Sequence, residues 1–120
     1  MNILYLSILI LVVDIFWLAL MKSHWAKIIP AIQGSPLNVR IIPSIVVYLL
    51  LALGLYALVF YPERYTKLQK AAILGLVVYG VFDMTNYAVF KNYPLWIAMS
   101  DMVWGGILLT AVAYIVMKYL

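Results

Sequence analysis

The chain has no cysteine, a single histidine and only four acidic residues in 120 positions. Without cysteine there is no disulfide framework, no thiolate metal site, no cysteine nucleophile and no lipidated cysteine, and the redox state of the compartment leaves no trace. Charge is scarce as well: 10% of residues are charged, against about 25% in a soluble domain. That is too little polar surface to cover a water-facing protein of this size. Disorder is excluded by the opposite excess, since 68% of residues are hydrophobic and unfolded chains are poor in them. The net charge of +4 does not point to nucleic acid, because the eight basic residues are scattered over the connections and form no run or basic helical face. A mean hydropathy of +1.10 identifies an integral, multi-pass membrane protein. Which membrane holds it is not encoded in these features.

Crossing about 30 Å of hydrocarbon takes roughly 20 apolar residues in a helix. Four stretches qualify, at about 3–21, 41–60, 71–90 and 95–117. None shows the alternation of a transmembrane strand, so the expected fold is all-α, a four-helix transmembrane bundle forming one domain over residues 1–120. No basic segment precedes the first stretch and no small-residue cleavage signal follows it, so it is expected to persist as a span. In the long connection 22–40, Trp25, Ile28, Ile29 and Ile32 recur at helical spacing. They predict a short amphipathic turn in the headgroup layer, strained by Pro30 and ended by Gly34-Ser35-Pro36. The short connection 91–94 makes the last two helices antiparallel neighbours. Arg64, Lys67, Lys70 and Lys118 fall on one side and Lys22, Lys27, Arg40 and Lys91 on the other, so the positive-inside rule gives no orientation. This balance is compatible with insertion both ways round.

Three of the four carboxylates lie inside the spans: Asp14, Asp83 and Asp101. Each costs at least roughly 2.5–3.5 kcal/mol near the bilayer centre, and such residues are usually functional. At about 1.5 Å of rise per residue they lie roughly 3, 4 and 7 Å from the middles of their spans, all in the half that carries the first and third connections. Each belongs to a stripe: Ser7, Asp14, Trp17 and Met21; Gly75, Tyr79, Asp83, Asn86 and Phe90; Asp101, Trp104, Gly105 and Leu108. The residues expected to donate hydrogen bonds to the carboxyls are Trp17, Trp104, Asn86, Thr85 and Tyr79. The three stripes are expected to turn inward and meet. Carboxylates gathered in one low-dielectric site cannot all carry charge, so the cluster shares a proton or holds a cation of unspecified kind.

At these residues the sequence resembles an uncharacterised family of small predicted membrane proteins, classified only as a domain of unknown function. The resemblance covers nearly the whole chain. It rests on Gly75, Tyr79, Phe82-Asp83-Met84-Thr85-Asn86, Ala88, Lys91, Tyr93 and Pro94, on Asp101, Trp104 and Gly105, and on Asp14, Trp17 and Leu18, with Tyr48, Gly54 and Pro62 fitting the second span. Phe82, Met84 and Tyr93 depart mildly from the family's Tyr, Leu and Trp. The resemblance implies a four-helix membrane protein with Asp14, Asp83, Asn86 and Asp101 as marked positions, and it implies no activity.

The functional reading is a proton or cation site in a small transporter or ligand-binding protein, with Asp83 primary, Asp14 and Asp101 modulating it, and Asn86 and Thr85 orienting it. The competing reading is polar glue between helices, in a structural or assembly subunit of a membrane complex or membrane-containing particle; interhelical hydrogen bonds are worth only about 0.6–2 kcal/mol each. His24 reads as an interfacial residue or a proton shuttle. Trp25, Trp96 and Tyr93 read as an aromatic belt, and Lys22 and Lys91 as interfacial anchors or contacts to lipid phosphate. Ala71/Gly75 and Gly106/Thr110 permit close helix contact, within the bundle or with a second copy. No nucleophile-base set, histidine metal constellation or phosphate loop is present, so no catalytic residue and no cofactor is expected, and an enzyme acting on lipid is the third reading. The expected surroundings are the lipid bilayer, with a homo-oligomer or membrane partner left open.

Overall fold

The computed structural model describes residues 2–120 and contains four helices long and apolar enough to cross a membrane. Helix α1 runs Ile3–Gln33, α2 Ile41–Gly54, α3 Lys67–Val89 and α4 Leu95–Tyr119. No strand occurs among the described residues. The helices pack in chain order, α1 on α2, α2 on α3 and α3 on α4, with the last pair in the most extensive contact.

The first helix corrects the expected boundary. In place of a span ending near residue 21 and a separate interfacial turn, α1 is one helix of 31 residues, about 46 Å long at 1.5 Å per residue. Nothing between Met21 and Ala26 breaks a helix, and Pro30 removes only one backbone donor near the end. The stop comes at Gly34, whose φ of 72° is left-handed and whose N–H bonds the Pro30 carbonyl at 2.8 Å. Of the four apolar residues expected to lie flat, Ile29 alone is buried and Trp25, Ile28 and Ile32 are exposed.

The second span covers the expected 41–60, but its last turn, Leu55–Phe60, widens into a π-helix, closed by the Tyr61 N–H on the Tyr56 carbonyl at 2.9 Å. Arg64 holds this end from a short 3-10 turn, donating to the Tyr56 hydroxyl at 2.7 Å while stacking over Tyr61. The third span starts four residues before the expected 71, because Thr66 and Gln69 form a reciprocal capping box that satisfies the first-turn donors.

Helices α3 and α4 approach backbone to backbone. A methyl group added at Gly75 would fall on the Gly105 carbonyl, and one added at Gly105 would meet the Tyr79 ring. Further along, Gly80 faces Met102, and at the other end Gly106 lies over the Ala72 carbonyl. This antiparallel register, continued towards the hairpin, brings Asp83 opposite Asp101. Small residues permit close contact in lipid, where no water-driven force holds helices together.

At the hairpin end, Arg40 ties α2 to α3. Its backbone N–H donates to the Ala88 carbonyl at 2.9 Å, and its guanidinium reaches the Tyr87 and Lys91 carbonyls at 2.8 Å each. These bonds satisfy acceptors that the end of α3 leaves open. Ala at Gly75 is expected to lower stability by about 1–3 kcal/mol through overpacking. Ala at Gly106, whose new methyl would meet its neighbour at an ordinary 3.6 Å, is expected to be neutral or stabilising by up to about 1 kcal/mol. Thermal unfolding of the two variants in detergent checks this; equal midpoints would contradict the register.

Candidate functional site

Asp83 projects from the buried face of α3 and is 0% exposed, the largest side chain so completely enclosed. The stripe expected on this helix is the interior one, with Gly75 and Asp83 buried and Tyr79, Asn86 and Phe90 half-buried. One Asp83 oxygen, Oδ1, accepts a 2.6 Å hydrogen bond from the Tyr93 hydroxyl. The other, Oδ2, is buried and has no hydrogen-bond donor. The Asp101 carboxyl, half-buried on α4, lies within hydrogen-bonding reach of Asp83. Both aspartates stand about 9 Å from the hairpin end of their helices at 1.5 Å per residue.

Tyr93 is the residue that the sequence reading placed elsewhere, in the aromatic belt. It sits in the tight connection between α3 and α4, with the Asn86 side chain near its hydroxyl. The Asp83 carboxylate to which it donates raises the Tyr93 hydroxyl above the usual phenol range, with burial adding to the effect. A bond this short, from a hydroxyl to a carboxylate, is in the strong range. The signal that could have found it is the short hairpin itself, which must return a residue near 93 to the level of the end of α3.

Asp14 does not join this pair. It is half-buried, and its Oδ2 accepts a 2.6 Å hydrogen bond from the Tyr48 hydroxyl of α2. Tyr48 stands about 10 Å into α2 at 1.5 Å per residue. The three carboxyls therefore share a level, as expected, but in two groups: Asp83 with Asp101 and Tyr93, and Asp14 with Tyr48. The expectation that all three aspartates are buried is corrected, since Asp83 alone is. The physical reason is the serial packing, which leaves α1 resting mainly on α2 and keeps Asp14 away from α4.

The expected donors divide in the same way. Asn86 is beside the site, through Tyr93. Trp17 and Trp104 are 51% and 52% exposed and turn away from the interior, each the outward member of its stripe. Thr85 is exposed, one residue round the helix from the buried face. Tyr79 is half-buried, with its ring packed on Gly105. Among the described residues no group of three or more His, Cys, Asp or Glu side chains stands close enough to hold a metal ion.

The site carries a pH prediction. The raised Tyr93 value means that its contribution is complete below the ordinary phenol value of 10.0 and is lost as pH climbs through the folded-state value. Tyr93→Phe is expected to lower stability by about 1.5–3 kcal/mol at neutral pH. Spectrophotometric titration should show that the tyrosinate missing from this variant is one that ionises later than the exposed phenols. A missing tyrosinate that ionises with the exposed group would contradict the bond.

No curated protein and no solved structure matches this chain. The model of one family, described as "predicted membrane protein (DUF2177)", matches residues 1–118. The family's description claims a membrane location and nothing of chemistry, and the four apolar helices agree with that location. The chain belongs to this DUF2177 family of predicted membrane proteins.

Proposed function

We propose that the chain is a small proton-linked transporter or ligand-binding protein whose proton site is the Asp83–Asp101 pair. The observation that carries this reading is the Asp83 carboxyl, fully enclosed, with Tyr93 on one oxygen, no donor for the other, and a second carboxyl within reach. Two carboxylates in contact in a low-dielectric setting repel each other and lose their hydration, so the pair holds one proton between them. A carboxyl–carboxylate hydrogen bond supplies the donor that the orphaned oxygen lacks. The two members differ in access. Asp101 is half-buried and reachable from the surroundings, whereas Asp83 is sealed.

In this account Tyr93 fixes the Asp83 rotamer and Asn86 orients Tyr93. Asp14 with Tyr48 is a second polar contact between α1 and α2, at the same level but outside the pair. A proton suits the pair better than a divalent cation, which would take six or more oxygen ligands. Polar glue alone explains the site less well, because a bond worth about 0.6–2 kcal/mol leaves the enclosure of the Asp83 carboxyl beside a second acid uncompensated.

Reconstitution into liposomes loaded with a pH-sensitive dye tests the reading. Wild-type protein is expected to carry protons down an imposed gradient, and Asp83→Asn to reduce that flux at least tenfold while folding normally. Asp14→Asn is expected to change it much less. Absence of flux from folded wild-type protein, or equal flux from Asp83→Asn, would overturn the proposal.

A further inference from the structure

A cleft of about 340 Å³ opens at the hairpin end of the molecule, lined by Gln33, Ser35, Pro36, Asn38, Arg40, Val89 and Lys91. It lies between the connection that follows α1 and the end of α3, away from the carboxylate pair. Two of its lining residues are cations and none is acidic. Its walls are fixed by polar bonds. The Gln33 side chain accepts from the Lys91 N–H at 2.8 Å and donates to the Ser35 and Pro36 carbonyls at 3.2 Å. Arg40 is immobilised by the Tyr87 and Lys91 carbonyls and by stacking at 4.3 Å from the centre of the Tyr87 ring. Those bonds use two of the five guanidinium donors, leaving the rest free for an acceptor.

A further polar group is left without a partner: the Ser35 hydroxyl oxygen is buried and makes no hydrogen bond. The first turn of α2, which follows Arg40 directly, has no side-chain cap and no acidic residue, so its open N–H groups add positive potential. We propose that this cleft binds a phosphate ester group, with Arg40 and Lys91 as its counter-charges and Ser35 as a hydroxyl donor. A guanidinium held rigid by carbonyls suits the phosphate oxygens. The source is a phospholipid headgroup, because Val39, Ile41 and Ile42 beside the cleft are 50%, 74% and 77% exposed and offer an apolar path for acyl chains.

Thermal unfolding of the full chain in an uncharged detergent tests this. A short-chain phosphatidylglycerol is titrated at fixed ionic strength, with inorganic phosphate and the diacylglycerol of the same chain length in parallel arms. The phospholipid is expected to raise the unfolding temperature saturably, and the diacylglycerol to leave it unchanged. Lys91→Glu, which reverses the charge of an exposed side chain, is expected to weaken the phospholipid effect at least tenfold relative to its own unliganded midpoint. Ser35→Ala is expected to weaken it less. A saturable effect of inorganic phosphate equal to that of the lipid, and equally sensitive to Lys91→Glu, would support the phosphate site and assign it a soluble ligand. No saturable effect in either phosphate arm, or one indifferent to both substitutions, would overturn the proposal.

Discussion

The contact on which the rest depends is the meeting of two backbones, α3 at Gly75 and α4 at Gly105. In a bilayer, lipid tails are as apolar as leucine, so helices associate through close packing and polar bonds rather than by escaping water. Glycine at both positions removes the side chains that would hold the axes apart. The contact is also a register. Once Gly75 rests on Gly105, the antiparallel geometry and the tight hairpin at 90–94 leave Asp83 facing Asp101. Tyr93 is carried by the same hairpin back onto Asp83. A packing device built from hydrogen atoms thus determines which polar groups meet two turns away.

The second constraint is the cost of carboxyls in hydrocarbon. The protein meets it by giving two of the three groups a short phenol donor, Tyr48 for Asp14 and Tyr93 for Asp83, and by setting Asp101 against Asp83. Phenol donors suit this setting because the ring is at home among apolar neighbours while the hydroxyl reaches the acid. The tryptophans, which carry comparable donors, are turned outwards instead, where their bulk fits an environment of acyl chains and interface.

Much of this was legible in the sequence. Hydropathy and length gave the four helices, and span midpoints gave the common level of the carboxyls, because both depend on local chain geometry. The inward stripe of α3 was legible from periodicity. What was not legible is which stripes meet. The grouping of Asp14 with Tyr48, apart from Asp83 and Asp101, follows from α1 packing mainly on α2, and one-dimensional spacing carries no information on that. The outward turn of Trp17 and Trp104 was missed because a stripe spans an arc, and its edge members fall on either side of the interior boundary. The length of α1 was missed because the apolar run stops at Lys22 while the helix does not, continuing through Pro30 to a glycine stop one turn later. The π-helical turn at Leu55–Phe60 had no sequence signal at all.

The central claim is that Asp83 and Asp101 hold a single proton between them, and infrared spectroscopy of the protein in a bilayer tests it most directly. The account predicts a protonated-carboxyl stretch at neutral pH in the wild-type protein. The band should persist in Asp14→Asn and vanish in Asp83→Asn. A wild-type spectrum without that band, or a band that survives Asp83→Asn, would contradict it.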